Sequence, residues 1–265
     1  MNESRADASS VVYNGQVLVT GGTSDDKIIV SSIEQFSRNP NPLIPPCWSY
    51  FSFNLPKALN GHRSVLYNDR MFVIGGYDEE KKKYSNMIYE IQLRFPFTTK
   101  VLAKLPSSTH MIGCGVILVN DKILIFGGRD CQSKTTAKVT MYDITMNTFQ
   151  ELAPLPYKVF NMATVNFGEN VVLVGGSDQF YFVDAKSTVV SYNIKTQKSA
   201  MLPPMKHTRS QCCAVVDGNS LVVMGGIKHG AVALNSVEAF DFRSSKWRSL
   251  PSMKEARRTF IAEIV

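Results

Sequence analysis

Three histidines have the residue type and the positions that could hold a metal ion. His62, His110 and His207 precede a Gly-Gly pair by 13, 17 and 18 residues. Imidazole is a common ligand of transition metals, so three converging rings could form a site. Because the three spacings differ, we expect the rings to lie at different heights, and we predict no metal site. No nucleophile with its base and no paired carboxylates accompany them, so we predict neither a cofactor nor an enzyme.

Arginines form a second group of residues with chemical potential. Arg5 and Arg209 stand sixteen residues before the first glycine of a pair, and Arg257 has the matching position in the C-terminal stretch. Guanidinium groups bind carboxylates and phosphates through paired hydrogen bonds. The sequence therefore predicts a basic sector, with Arg63 and Arg129 nearby, that receives an acidic peptide. The alternative, pairing of these arginines with Asp or Glu between blades, stays open.

The elements that must position these side chains come from a repeat of about fifty residues. Five Gly-Gly pairs end apolar, strand-like segments, and their first glycines are 54, 52, 48 and 50 residues apart. Before each pair, two apolar segments (strands A and B) flank a turn rich in Asn, Asp and Gly, which is a hairpin signal. Strand C then ends in an aromatic residue, strand D follows, and Leu-Pro closes the unit, since proline cannot donate to strand pairing.

Four short antiparallel strands per unit predict an all-β propeller of four-stranded blades. We predict a single domain over residues 1–265, with repeats at about 1–57, 58–107, 108–156, 157–205 and 206–253 and a closing strand at 254–265. Five complete repeats plus the first strand of a further one leave two options, a five-bladed ring or an incomplete six-bladed ring. We expect the glycines to take positive φ and to let aromatic rings of the adjoining blade approach closely.

One unit carries a family resemblance. Gly225-Gly226, followed by Phe240 and Trp247, resembles the Kelch repeat, and residues 204–210 and 235–238 are similar to segments of Kelch-like adaptors that join a Kelch propeller to a BTB domain. The resemblance implies a protein partner and the substrate-recognition propeller of a cullin-type ubiquitin ligase adaptor. Without recognisable BTB and BACK portions, we expect a monomer. Actin binding in a cytoskeletal scaffold is the alternative, and a Kelch-fold sugar enzyme is a more remote one.

The varied loops of the repeat are the predicted binding face. In an antiparallel blade, the loop between strands B and C (the B–C loop) and the loop before strand A (the D–A loop) emerge at the same end, and long loops usually carry binding. We expect the partner to contact this face. The predicted partner-binding residues are Arg5, His62, Arg63, Tyr77, Arg129, Asn161, Asp178, His207, Arg209, His229 and Arg257.

Composition and charge exclude other classes of function. With 44% hydrophobic and 19% charged residues, the chain is typical of a globular protein. It has no run of about 20 apolar residues and no N-terminal signal pattern, so we expect a cytoplasmic protein without a membrane span. The net charge of the chain is +7. Its one run of positive residues, Lys81 to Lys83, directly follows three acidic residues, Asp78 to Glu80. We therefore predict no nucleic-acid binding.

Three further surface features each have a plainer structural interpretation. Residues 39–46 are proline-rich and are interpreted as a stiff loop rather than a peptide ligand. Phe180, Tyr181 and Phe182 are either a second contact patch or packing around strand C. Cys131 follows Arg129, whose charge could activate the thiol, but we interpret it as an ordinary loop cysteine.

Overall fold

The computed structural model describes residues 1–38, 41, 43–106, 112–130, 132, 134–179 and 184–264. Within these residues the only helical element is a 3-10 turn, His229–Ala231, and the regular structure is otherwise β-strand. The all-β prediction is therefore confirmed. His110, Cys131, the aromatic residues 180–182 and part of the proline-rich segment, residues 39, 40 and 42, lie outside the described residues.

Residues 1–107 form one compact unit. Its strands are β1 (Ser9–Tyr13), β2 (Gln16–Thr20), β3 (Ile33–Ser37), β4 (Cys47–Tyr50), β5 (Leu59–Asn60), β6 (Arg63–Tyr67), β7 (Arg70–Ile74), β8 (Tyr77–Asp78), β9 (Lys83–Tyr84), β10 (Met87–Gln92) and β11 (Thr98–Lys104). They form two four-stranded antiparallel sheets, in the orders β1-β2-β3-β4 and β6-β7-β10-β11, and a small sheet in the order β5-β8-β9. Both larger sheets have the predicted A-B-C-D order.

Residues 108–264 form the second compact unit. Its strands are β12 (Gly115–Val119), β13 (Lys122–Phe126), β14 (Val139–Asp143), β15 (Thr148–Leu152), β16 (Ala163–Phe167), β17 (Asn170–Val174), β18 (Val189–Asn193), β19 (Ser199–Leu202), β20 (Cys213–Asp217), β21 (Ser220–Met224), β22 (Ile227–Lys228), β23 (Val232–Ala233), β24 (Val237–Asp241) and β25 (Lys246–Leu250). The four-stranded sheets are β12-β13-β14-β15, β16-β17-β18-β19 and β20-β21-β24-β25, and β22 pairs with β23 in a short hairpin.

The apolar core of each unit lies between neighbouring four-stranded sheets. Leu124 of β13 and Leu173 of β17 belong to one buried cluster, and Leu18 of β2 and Val73 of β7 belong to another. The last four residues of β7, β13 and β17 are all buried. Strand B therefore has packing partners on both sides of its sheet, which explains why its sequence is continuously apolar rather than alternating.

The Gly-Gly pairs join one repeat to the next. All ten glycines have positive φ, as predicted. Gly176 donates its N–H to the carbonyl oxygen of Arg209 at 2.8 Å. A Cβ on Gly175, where φ is +65°, would lie 2.2 Å from that oxygen. At this joint, a backbone carbonyl makes the close approach rather than the aromatic ring that we expected, because the pair donates directly to the first residue of the next unit.

The C-terminal stretch differs from the prediction. Residues 254–264 contain no strand, whereas a closing strand was predicted over 254–265. The stretch is nevertheless anchored by its backbone. The N–H of Arg257 donates to the Leu234 carbonyl at 3.0 Å, and the N–H of Thr259 donates to the Gln211 carbonyl at 3.1 Å. The division of the chain into one domain stays a prediction.

Candidate functional site

Short backbone bridges connect the D–A loop of a repeat to its own B–C loop. Ala6 bridges to Thr23 in residues 1–107, and Phe160 bridges to Ser177 in residues 108–264. Each bridge joins the residue that lies fifteen positions before the first glycine of a Gly-Gly pair to the residue that directly follows the pair. The two kinds of loop therefore share one end of their blade, as the topology predicts. We call the B–C and D–A loops of residues 1–107 the first loop face, and those of residues 108–264 the second loop face.

Arg5 lies beneath the first loop face in a network of hydrogen bonds. Its side chain has 0% exposure and forms an ion pair with Glu34 at 3.1 Å. Nη1 donates to the carbonyl oxygens of Gly21 and Ser32 at 3.0 and 2.9 Å, and Nη2 donates to the Ser32 hydroxyl at 2.8 Å. We call this arrangement an Arg–Glu clamp. It fixes the start of the repeat to the beginning of its own strand C.

Arg209 forms a second Arg–Glu clamp with the same ligands. Its Nη2 donates to Glu238 at 2.9 Å and to the Ser236 hydroxyl at 2.7 Å. Its Nη1 donates to the carbonyl oxygens of Gly225 and Ser236 at 2.7 and 3.0 Å. The arginine and the glutamate are both buried. The two clamps therefore satisfy a buried charge pair with additional hydrogen bonds, which is the condition under which such a pair is tolerated.

The environment of Glu238 favours its ionised form. Burial alone raises the pKa of this carboxyl, but hydrogen bonds from Arg209, from the Lys206 N–H and from His207 lower the pKa below its usual value. The two loop donors lie at 2.8 Å for the Lys206 N–H and 3.0 Å for His207 Nδ1. The carboxylate therefore holds the D–A loop as well as the arginine.

The clamps correct the expectation for Arg5 and Arg209. Both guanidinium groups are enclosed and bonded to residues of their own repeat, so neither is accessible to an acidic partner in this structure. The alternative that the sequence left open, pairing with an acidic residue between blades, is right about the kind of partner but wrong about its place, because Glu34 and Glu238 belong to the same repeat as their arginines.

His62 is also removed from the loop surface. It is buried, and its Nε2 lies 2.9 Å from the Thr20 hydroxyl. Burial, with a smaller contribution from the charge of Arg63, lowers the pKa of His62 to about 3. The imidazole is therefore neutral at physiological pH and has a packing role, which corrects its expected role in partner binding.

Four other predicted residues contribute mainly to the framework. Tyr77 packs edge-on against Tyr84, with ring centroids 5.7 Å apart. Arg129 is buried and its guanidinium lies 4.8 Å from the centre of the Phe160 ring. Asn161 has a φ of +55° and donates its N–H to the Gly113 carbonyl. Arg63 is half-buried in β6, and its Nη1 donates to the His62 carbonyl at 3.3 Å.

The remaining four predicted residues are accessible on the second loop face. Asp178 is half-exposed and pairs with Lys186 at 3.1 Å. The side chain of His207 is 47% exposed, and that of Arg257 is 56% exposed. His229 is exposed in the hairpin between β22 and β23. The structure thus places four of the eleven predicted residues together on the loops of one compact unit.

The second loop face carries a surplus of positive charge. Its acidic side chains have partners: Asp178 and Asp184 pair with Lys186, Glu255 pairs with Arg257, and Asp130 accepts backbone N–H groups. Six exposed cations, in contrast, have no carboxylate within ion-pair distance among the described residues. These cations are Lys134, Lys158, Lys206, Lys228, Lys254 and Arg258. Such a surface attracts a negatively charged ligand.

The first loop face has a more even balance of charge: the exposed Lys27, Lys81 and Lys83 also have no ion-pair partner among the described residues, but the exposed Asp25 and Asp26 offset them. Lys57 pairs with Glu80, and Lys82 pairs with Glu79. The exposed Asp25 and Asp26 are followed by Lys27 in the same loop. Most of the net positive charge therefore belongs to residues 108–265, which contain 17 Lys and Arg against 12 Asp and Glu.

Sequence reasoning missed both the unpaired lysines and the clamp glutamates. Three of the five lysines, Lys158, Lys206 and Lys254, follow a Leu-Pro closure by two or three residues, and this spacing was an available signal. For the clamps, the two repeats that have Arg sixteen residues before their Gly-Gly pair are also the two that have Ser-x-Glu at the start of strand C. This co-occurrence of Arg and Ser-x-Glu in the same repeats was a signal too.

Two kinds of feature are absent from the described part of the chain. It holds no group of three or more His, Cys, Asp or Glu side chains arranged to bind a metal ion. In the same residues no helix is long and apolar enough to cross a bilayer.

Comparison with known proteins defines the family. The model of the KLHDC2/KLHL20/DRC7 Kelch-repeats domain matches residues 7–206 and, in a second register, residues 61–259. The two matches together cover almost the whole chain. The chain therefore belongs to the Kelch-repeat family, and its four-stranded sheets are Kelch propeller blades.

Curated relatives and a solved structure agree with this assignment. Kelch-like protein 25 of Xenopus tropicalis is 22% identical over 94% of this chain and 41% of its own length. Kelch-like protein terF of Aspergillus terreus is 26% identical over 83% and 51%. Kelch-like protein 40 of Xenopus laevis is 26% identical over 78% and 33%. The chain thus spans about a third to a half of these relatives. The solved structure of YjhT has a TM-score of 0.75 and 15% identity over 93% of this chain and 84% of its own, a likeness of fold alone.

Proposed function

We propose that this chain is a non-catalytic protein-interaction module whose second loop face binds an acidic segment of a partner protein. The observation that carries the proposal is the set of six exposed cations without a carboxylate partner on that face. Unpaired charge of one sign steers a partner of the opposite sign and selects against partners of the same sign. His207, His229 and Arg257 lie on the same loops and add donors for carboxylates.

We further propose that the module is the substrate-recognition part of a cullin-type ubiquitin ligase adaptor. The support is membership of the Kelch-repeat family together with the similarity to Kelch-like proteins, which are roughly twice as long as this chain. In such an arrangement the propeller captures a substrate and other domains recruit the ligase. The 265 residues alone should not engage a cullin.

A charge-matched pair of variants tests the binding face. The face variant is Lys134→Gln, Lys206→Gln, Lys228→Gln and Lys254→Gln. The control variant is Lys195→Gln, Lys198→Gln, Lys246→Gln and Arg248→Gln, which removes four exposed cations of the same unit away from the loop face. Proteins captured from cell lysate by wild type and by each variant are quantified by mass spectrometry. We expect the face variant to lose acidic partners at least about tenfold, since several charge-assisted contacts disappear together.

Three outcomes would contradict the proposal. Equal losses in both variants would indicate attraction by net charge alone. Recovery of actin by all three proteins, confirmed by co-sedimentation with filaments, would favour the cytoskeletal alternative. Turnover of a sugar would show an enzyme. The adaptor role has its own test: the chain fused to a BTB dimerisation domain should promote ubiquitylation of the captured partner, and the face variant should not.

A further inference from the structure

The backbone at Arg257 has the position that begins a Kelch repeat. The Arg257 carbonyl accepts the Gly226 N–H at 2.8 Å, and the Arg209 carbonyl accepts the Gly176 N–H at the same distance. A Cβ on Gly225 would lie 2.5 Å from the Arg257 oxygen. Arg257 is therefore seated in the same joint as the arginine of the second clamp.

The side chain of Arg257 has a different environment. It is 56% exposed, and its ion pair is with Glu255, which is itself exposed, at 2.8 Å. The clamp arginines Arg5 and Arg209 both have 0% exposure. A pair between two exposed side chains contributes little to stability, so Arg257 can exchange Glu255 for another carboxylate at small cost.

The two filled clamps define the ligand that this arginine position accepts. In each clamp the arginine binds the carbonyl and hydroxyl of a serine and the carboxylate of a glutamate two residues later, at the start of a strand. The serine and glutamate are Ser32 and Glu34 in one repeat and Ser236 and Glu238 in the other. Two occurrences with the same atoms indicate a recurring preference for an extended Ser-x-Glu segment.

The sheet beside Arg257 has one side that is less covered than its equivalents in other repeats. In β21, Leu221 and Val223 are buried, whereas Val222 and Met224 are half-buried. The last four residues of the equivalent strands β13 and β17 are buried without this alternation. One side of the fifth four-stranded sheet is thus less covered within residues 108–264, and it adjoins the Gly-Gly pair that contacts Arg257.

We propose that Arg257 is an unfilled copy of the Arg–Glu clamp and that it binds a glutamate presented by the partner in an extended Ser-x-Glu segment. The inference rests on the proposed function, because it names one residue of the acidic segment and the arginine that receives it. The exposed cations Lys254 and Arg258 flank the site and favour an acidic chain over a basic one.

A peptide with the sequence of residues 28–38, which contains Ser32 and Glu34, tests this preference. The peptide is labelled with a fluorophore, and its anisotropy is measured during titration with the full chain. Matched peptides carry Glu34→Gln or Glu34→Asp. The protein variants are Arg257→Ala and, as a control, the neighbouring Arg258→Ala.

We expect the glutamate peptide to bind wild type with a dissociation constant below about 1 mM, the range for a short segment with few anchoring contacts. Loss of a charge-assisted pair should weaken binding about tenfold for the Gln peptide and for Arg257→Ala. The Asp peptide should also bind more weakly, since its side chain is shorter, and Arg258→Ala should stay within about twofold. Unchanged melting temperatures exclude unfolding as the cause.

Several results would overturn the inference: no binding, equal binding of the Glu and Gln peptides, or an unchanged dissociation constant in Arg257→Ala. None of them affects the four-lysine test of the second loop face. If that face still captures acidic partners, the proposed function stands while the clamp inference fails. If the four-lysine variant captures acidic partners as well as wild type does, while the peptide still binds wild type more tightly than Arg257→Ala, the broader binding proposal fails instead.

Discussion

Residues 1–107 and residues 108–264 have the same internal framework but differently charged loops. Each unit stacks four-stranded antiparallel sheets, joins repeats through positive-φ glycines and contains one Arg–Glu clamp. On the loops, Lys57 and Lys82 of the first unit have acidic partners, whereas Lys206 and Lys254 of the second have none among the described residues. Buried charges therefore serve the fold in both units, while the second unit has the larger surplus of cations, 17 Lys and Arg against 12 Asp and Glu.

Removal of a clamp arginine should have the largest effect and should be similar in both units. Arg5→Ala or Arg209→Ala leaves a buried glutamate without its counter-ion, which costs about 3 to 5 kcal/mol. For a chain of this size, a drop in melting temperature of roughly 6 to 20 °C is expected by differential scanning fluorimetry. Arg257→Ala is the control at the same repeat position, and it should shift the melting temperature by less than about 2 °C. A large effect in only one clamp would break the equivalence of the two units.

The glycine joints should come next. Gly175→Ala and Gly21→Ala place a Cβ 2.2 and 2.5 Å from a backbone carbonyl oxygen, so the backbone must shift. We expect a loss of about 2 kcal/mol or more in the free energy of unfolding, from strain and steric overlap together. Gly168→Ala separates the two causes, because Gly168 also has positive φ but has open space around it. It should lose about 1 kcal/mol, and an equal loss at Gly175 would argue against the close approach.

The buried histidine predicts a pH effect specific to the first unit. With its pKa lowered to about 3 by burial, His62 stays neutral in the folded chain, while an unfolded chain takes up a proton near pH 6.5. The unfolded state then binds more protons, so this contribution is complete above about pH 6.5 and is lost as the pH falls toward 3. Between pH 7.0 and 5.5 we expect a loss of about 1 kcal/mol, measured by urea unfolding.

His62→Gln should remove this part of the pH dependence, and the exposed His229→Gln should keep it. Cys114, Met162 and Cys212 hold the equivalent repeat positions in the second unit. Burial raises the pKa of Cys212 to about 12, so that group is also neutral throughout this range. If the pH dependence survives in His62→Gln, its source lies elsewhere.

Surface lysines should have the smallest effect on stability and should separate the units by function. Lys82→Ala removes an exposed ion pair of the first loop face and should change the free energy of unfolding by less than about 0.5 kcal/mol. Lys206→Ala in the second face should be equally mild in unfolding, yet it should weaken capture of the acidic partner. Equal loss of binding in both variants would show that the two loop faces do not differ in function.

Much of the framework could be predicted from the sequence because it depends on local rules. The hairpin turns at Asn14-Gly15 and Asn68 have the positive φ that their residue types favour. The apolar period and the Gly-Gly pairs likewise predicted the strands around them. The C-terminal stretch was mispredicted as a strand because its pattern matches strand A, while strand formation also requires a pairing partner.

The accessible residues were harder to predict because burial is not a local property. Arg209 and Arg257 occupy the same repeat position, yet one is enclosed and the other is 56% exposed. Residue type alone does not separate them. The difference depends on whether a strand C with a glutamate lies within reach, and for Arg209 that glutamate is 29 residues away in the chain.

The sequence by itself determined the repeat, the strand order within each blade and the places of the glycine joints, since turn chemistry and apolar periodicity act over a few residues. Tertiary structure alone decided which charges are internal and which face a partner. The physical reason is that a charge enters the interior only where other strands supply its counter-ion and hydrogen bonds. Those partners come together only when distant segments pack.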